Sequence, residues 1–458
     1  PKLFHGMEKV NQLLMKYTKI IFPLFILIFF SLIIIAKNYA EKKKDRISFL
    51  KNQITQLKKD RDNTAYRIGY IPFEFLNKKN FKLGNFSFEL KKYNTDLLNF
   101  TTGFSNIGSS YIDYYDNKLF FVTAKGVFSY GNFSDIEKEK FNLLTIKNNF
   151  AKILNTDLFY KNPAYGIKDI LIVDDEIFIS FTDEIKKNCY NTSILQAKLN
   201  TKFLEFEYFF KAKNCINENI EDFFSPHQSG GRLVKFKDNS VLFSNGEYRS
   251  RMLAQSIDNT NGKIISINRK TKKYKILAIG LRNPQGLLYD SKNDKIYISE
   301  HGPQGGDEIN VISDLNKIPN FGWPISSYGE HYGHKKRDRS DTYKIAPLYK
   351  SHKKYAFEEP LKFFTPSIGV SQIEFLINKN NKQMNNKLIA TSMGNNPEEG
   401  DLSIHLLTLE ANNVINHKVV NLDERIRDII FIKEKNKYIL FLESSSSIGI
   451  IDLNNTSN

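Results

Sequence analysis

Six stretches of this chain repeat one design: an apolar run, a turn around Asp or Asn, and a second apolar run. The first is Tyr111-Ile-Asp-Tyr-Tyr-Asp-Asn-Lys-Leu-Phe-Phe-Val and the second Asp169-Ile-Leu-Ile-Val-Asp-Asp-Glu-Ile-Phe-Ile-Ser. Equivalent runs start at Arg232, Gly286, Gln372 and Asp428, at intervals of 54 to 86 residues. β-branched and aromatic residues favour strands, and Asp/Asn pairs favour tight hairpins between them. One such unit cannot bury both its faces, but stacked neighbours can. Six similar units predict an all-β fold, a six-bladed β-propeller over residues 69–458.

The widest interval holds a polar insertion, Ser326–Pro360, with His331, His334, Lys335, Lys336, Arg337 and Arg339. In a propeller such a loop roofs one face. It suits contact with substrate or membrane headgroups, or it is a solvated basic loop.

Ahead of the repeats, Ile20–Ala36 is an uncharged apolar run of 17 residues between Lys19 and Lys37. That length is the lower limit for a spanning helix, with lysines able to snorkel at each end. Residues 1–40 are therefore expected to form a signal-anchor transmembrane segment in a bacterial inner membrane, with the propeller facing the periplasm. A cleaved signal peptide is the alternative, although its apolar region is normally shorter and Asn38 and Ala40 make a poor small-x-small site. Residues 41–68 read as a helical stalk. Within it Ile47, Leu50, Ile54 and Leu57 make a short heptad seam. The seam suits a homo-oligomer through the stalk or a single amphipathic helix lying on the body.

The net charge of +16 looks like a nucleic-acid signal until it is located. Residues 1–70 carry 14 Lys/Arg against 5 Asp/Glu, more than half of the excess. The body has no basic motif or stacking array, which argues against a nucleic-acid partner. Cys189 and Cys215 bracket Thr192–Lys198 and Phe203–Phe210, two expected strands of a hairpin. Both the turn and the midpoint of the cysteines fall at Lys202. The cysteines would then face each other, and a disulfide there implies an oxidising compartment. Two free thiols are the alternative.

Residues just before each first strand should reach the central channel. His227, Arg282, Asn283, Arg425 and Arg427 occupy such positions. A histidine there can accept a proton, and clustered guanidiniums suit a polycarboxylate or phosphate. The segment Glu300-His-Gly-Pro-Gln-Gly-Gly-Asp-Glu308 adds a turn rich in oxygen atoms, the donor type that hard cations such as Ca²⁺ take.

These motifs meet a known pattern. His227-Gln-Ser-Gly-Gly-Arg-Leu-Val, Gly280-Leu-Arg-Asn-Pro-Gln-Gly, Glu300-His-Gly-Pro-Gln-Gly-Gly-Asp-Glu-Ile-Asn, Asn320-Phe-Gly-Trp-Pro and Arg425-Ile-Arg-Asp resemble the soluble aldose sugar dehydrogenases that depend on pyrroloquinoline quinone (PQQ). This is the glucose/sorbosone dehydrogenase family of six-bladed propellers, and order and spacing agree from about Tyr165 onward. The resemblance implies oxidation of a small-molecule sugar by hydride transfer to PQQ. By it, His227 is the base for the sugar C1 hydroxyl; Arg282, Asn283, Arg425 and Arg427 contact the cofactor; and the carbonyls of Gly302 and Pro303 hold Ca²⁺. Asp307 and Glu308 shape the loop or serve a second Ca²⁺ site.

The chain also departs from the family. Gly394 stands where members carry a lysine for a PQQ carboxylate. A lost contact of that kind costs about 1–3 kcal/mol, roughly tenfold to a hundredfold in affinity. The early glutamine that touches the cofactor has no evident match, and the usual Gly-Asp of the third unit reads Asn245-Gly246. Two other functions compete: a cofactor-less propeller serving as a binding or scaffold module in the cell envelope, and a hydrolase using the cation and His227.

Overall fold

The computed structural model describes residues 36–50, 53, 64–83, 86–98, 101–102, 105–106, 109–156, 158–219, 224–332, 344–377 and 386–453. Contacts divide the chain into two units, 1–61 and 62–458. In the first, residues 36–50 and 53 are helical, and Ile47 and Leu50 of the expected seam are exposed. Ile54 and Leu57 lie outside the described residues, as does the expected span Ile20–Ala36 except for Ala36. No described helix is long and apolar enough to cross a membrane.

The second unit carries six antiparallel blades. Their inner strands, numbered here as blades one to six, are Ser110–Tyr115, Ile167–Val173, Gly230–Phe236, Pro284–Asp290, Val370–Phe375 and Ile426–Ile432. Each inner strand contacts the next, and the sixth contacts the first, so the ring closes. Each begins within two residues of the corresponding run in the sequence. The turns show why Asp and Asn recur. Asp116, Asn117, Asp174 and Asp175 have φ of 48°, 56°, 50° and 64°. A two-residue hairpin needs that left-handed pair, and short polar side chains tolerate it.

Every blade is apolar on both faces because each face is covered by a neighbouring blade. Six clusters result, one per gap between blades. Phe120 and Val122 meet Ile170 and Ile179 between blades one and two. Leu242 and Ile264 meet Leu287 and Ile296 between blades three and four.

Blade six has three strands downstream of Arg425 and takes its fourth from early in the chain. Phe86–Asn94 pairs with Ser447–Asp452, placing Leu90 opposite Ile451. Tyr70–Leu83 then pairs with Phe86–Asn94 and with Lys140–Thr145, the outer strand of blade one. Blades six and one thereby share a single nine-stranded sheet.

Arg232 locks the axis. Its Nη1 meets Asp169 Oδ1 of blade two at 3.2 Å and Asp428 Oδ1 of blade six at 2.8 Å. Its Nε donates to the Gln285 carbonyl of blade four (2.7 Å), and its Nη2 to the Arg427 carbonyl (2.6 Å). The guanidinium also lies 5.2 Å from the Tyr111 ring of blade one. One buried side chain from blade three thus reaches four other blades, and its charge is balanced by two carboxylates.

Cys189 and Cys215 are joined as a disulfide. The hairpin around them is shorter than the sequence predicted. Cys189–Lys198 pairs with Glu207–Phe210, Ile194 lying opposite Phe210. Phe203–Leu204 instead runs beside Lys147–Asn148, which follows the outer strand of blade one, in a separate two-stranded sheet. Asn149 holds it there: its Oδ1 accepts from Phe206 N (2.7 Å) and its Nδ2 donates to the Phe206 carbonyl (3.0 Å).

Candidate functional site

The starts of the inner strands meet at one mouth of the central channel, around a cavity of about 580 Å³. His227, Arg282, Asn283, Gly302, Arg425 and Arg427 all line it. Residues from different blades, picked from the sequence for one site, therefore share one space.

His227 sits in the 3₁₀ turn Pro226–Gln228, where proline suits the first helical position. Asn283 braces that turn. Its Nδ2 donates to the His227 carbonyl (3.2 Å), while its Oδ1 accepts from Gly230 N (3.1 Å) and Gln285 Nε2 (2.9 Å). Asn283 thus spends much of its hydrogen bonding on positioning the histidine. The His227 ring has no hydrogen-bond partner among the described residues and is exposed at the cavity. Desolvation, then the charges of Lys168, Arg427 and Arg249, lower its pKa. The ring is held neutral and able to accept a proton. A Cβ on Gly246 would lie 2.2 Å from the Gln228 carbonyl oxygen, so no side chain fits there to orient the ring.

The arginines are held differently. Arg427 Nε meets Glu443 Oε1 at 2.5 Å, and Arg425 Nε meets Glu443 Oε2 at 3.4 Å. Although burial opposes it, the two arginines keep Glu443 below the usual carboxylate range. Arg282 makes no ion pair among the described residues. Its Nη1 donates to the His301 carbonyl (2.8 Å), and its guanidinium lies 5.4 Å from the Trp323 ring. Arg282 Nε and His301 Nε2 are buried without a hydrogen-bond partner, and both residues line the cavity. Buried polar atoms are normally satisfied, so these point to a ligand.

The acidic loop divides. Asp307 lines the cavity but is occupied: its Oδ1 accepts from Gly302 N (3.1 Å) and its Oδ2 from Val370 N (3.0 Å). It therefore shapes the turn. Glu308 pairs with the buried His352 (Oε1 to Nε2, 3.2 Å) and is not part of the cavity lining. Glu300 accepts from the Arg282 amide (2.8 Å); burial, then the nearby Glu308, raise its pKa.

The two expected metal carbonyls also differ. That of Gly302 has no hydrogen-bond partner among the described residues, whereas that of Pro303 accepts from Gly306 N (3.1 Å) and Ser367 Oγ (3.3 Å). Of the two, only the Gly302 carbonyl is free to face a cation, one oxygen where Ca²⁺ takes about six to eight. No group of three or more His, Cys, Asp or Glu placed to hold a metal occurs among the described residues. His331 of the insertion is buried, its Nε2 against the Ala346 carbonyl (2.8 Å), rather than presented to substrate or headgroups. His334, Lys335, Lys336, Arg337 and Arg339 lie outside the described residues.

Among the cavity residues that the sequence reading did not pick are Lys168, His301 and Tyr332. Lys168 carried a usable signal, since it precedes Asp169 as Arg427 precedes Asp428. His301 lay inside the acidic motif but was overshadowed by the carboxylates.

A family model described as glucose/sorbosone dehydrogenase matches residues 140–451. The aldose sugar dehydrogenase YliI of Escherichia coli (strain K12) is 24% identical over 306 residues, covering 62% of this chain and 76% of that protein. A solved glucose dehydrogenase aligns with a TM-score of 0.59 at 20% identity, covering 75% of this chain and 95% of that one. The PQQ-bound aldose sugar dehydrogenase of Streptomyces coelicolor aligns with a TM-score of 0.51 at 14% identity, covering 74% and 91%. At these identities the structural matches speak for the fold.

Proposed function

The chain belongs to the glucose/sorbosone dehydrogenase family, and from that membership we propose that it oxidises an aldose sugar, or a related alcohol, with PQQ as the acceptor. The observation that carries this reading is the neutral, unpartnered His227 ring facing a cavity lined by Lys168, Arg282, Arg425 and Arg427. PQQ, when bound, supplies a two-electron hydride acceptor. Arg282, Arg425 and Arg427 would hold its anionic groups, and the unsatisfied Arg282 Nε and His301 Nε2 would gain partners. His227 would take the proton of the sugar hydroxyl. Asn283 keeps the imidazole in place through the His227 carbonyl. Ca²⁺ would be held at the Gly302 carbonyl and would polarise the acceptor.

A second reading, a cofactor-less binding module, is favoured by the carboxyl group of Asp401, which fills the space beside Gly394. Dye reduction by the purified protein with PQQ, Ca²⁺ and a panel of aldoses separates the two. PQQ-dependent turnover supports the dehydrogenase, and none with any sugar supports the binding module. The disulfide and the apolar run Ile20–Ala36 support a chain anchored in the inner membrane with its propeller in the periplasm.

A further inference from the structure

Lys168 starts on the inner strand of blade two and enters the cavity. Its stem runs past Gly231, where a Cβ would lie 2.2 Å from Lys168 Cβ, so the glycine makes room for it. Its Nζ donates to the Ala164 carbonyl (2.7 Å) and makes no ion pair among the described residues. Arg425 and Arg427, by contrast, share Glu443. An ammonium has three donors, so at least two on Lys168 can serve a ligand. Burial, then the Arg427 charge, bring its pKa down to about 7. A desolvated cation without a counter-ion is costly, and an anion would relieve that cost.

The opposite side of the ring lacks an equivalent lysine among the described residues. Blade five lies across the axis from blade two in a six-membered ring. There Gly394 offers no side chain, and the buried Asp401 beside it has one carboxylate oxygen without a hydrogen-bond partner. Among the described residues, an acid group on a ligand meets no cationic side chain of blade five itself, where Arg425 Nη1 reaches the Gly394 carbonyl (3.4 Å), and is drawn to Lys168 on blade two.

We propose that Lys168 is the contact for a carboxylate of the bound cofactor, setting the cofactor with an acid group toward blade two. This rests on the PQQ reading above. The step is ionic and forms no covalent bond. PQQ binding to the full chain, followed by ligand absorbance rather than turnover, tests it. Lys168→Met is expected to weaken binding about tenfold to a hundredfold and to flatten its salt dependence, Lys168→Arg to keep most of the affinity, and Lys202→Met on an exposed turn to change nothing. A second readout, acetylation of Lys168 by acetic anhydride mapped by mass spectrometry, should slow when PQQ is added. Wild-type protein that binds PQQ with unchanged affinity in Lys168→Met, or with Lys168 unprotected, overturns the assignment and leaves the dehydrogenase reading intact. Wild-type protein that does not bind PQQ overturns both.

Discussion

The carboxyl group of Asp401 stands where a side chain on Gly394 would begin: a Cβ on Gly394 would lie 1.8 Å from Asp401 Cγ. Asp401 is fixed there by its Oδ2, which accepts from Asn396 N at 2.7 Å. The glycine and the aspartate are thus one packing unit. Gly394→Ala should destabilise the protein by about 1–3 kcal/mol through overpacking. In an Asp401→Gly background most of that cost should vanish. Urea unfolding of the four proteins measures the coupling; strictly additive losses would show that the two residues are independent.

Arg232 ties blade three to its neighbours across the axis, and its loss would leave Asp169 and Asp428 buried without their cation. Arg232→Met should cost about 3–5 kcal/mol. Denaturant midpoints at constant m-value check this, and a loss below about 1 kcal/mol would contradict the role of an axial lock.

The pH dependence follows from the direction of two shifts. The His227 pKa lies below its ordinary 6.5, so the neutral base persists to more acidic pH. The acid limb of kcat/KM should fall below pH 6.5, and Lys168→Met should move it upward by removing a neighbouring positive charge. Lys168 is cationic below about 7 and loses its charge above that. Affinity for PQQ should therefore decline as pH rises through about 7 in the wild type, and this decline should be absent in Lys168→Arg. Arg427, which also faces both groups, keeps its charge throughout this range.

Cys189 and Cys215 are 26 residues apart. Closing a loop of that size limits the unfolded chain and contributes about 3–4 kcal/mol. Reduction, or Cys189→Ser with Cys215→Ser, should lower the melting temperature. An unchanged melting temperature would argue against a structural role for the disulfide.

Much of this fold could be read from local pattern, because the blade core is set by short-range alternation and by turn chemistry at pairs such as Asp116 and Asn117. The cysteine pairing was also legible from the hairpin, although the register is shifted and Cys189 lies opposite Asn217 rather than Cys215 itself. Closure of the ring by Phe86–Asn94 was not, because no local signal pairs that strand with Ser447–Asp452. At the site, His227 and the three arginines were readable from their places at or just before the starts of inner strands. Occupancy was not: the Pro303 carbonyl is taken by Gly306 and Ser367, Asn283 braces the His227 turn, and Asp401 fills the space beside Gly394. Most of these depend on how loops fold back on one another, as Ser367 does on Pro303, which spacing in the chain does not reveal.

Anaerobic titration of the protein with PQQ and Ca²⁺, followed by a single addition of aldose, tests the central claim most directly. The account predicts a PQQ-dependent absorbance change at micromolar PQQ, then reduction of the bound cofactor by sugar in the wild type. His227→Gln should bind PQQ equally well but stay oxidised. No spectral change on adding PQQ, or equally fast reduction in His227→Gln, would contradict it.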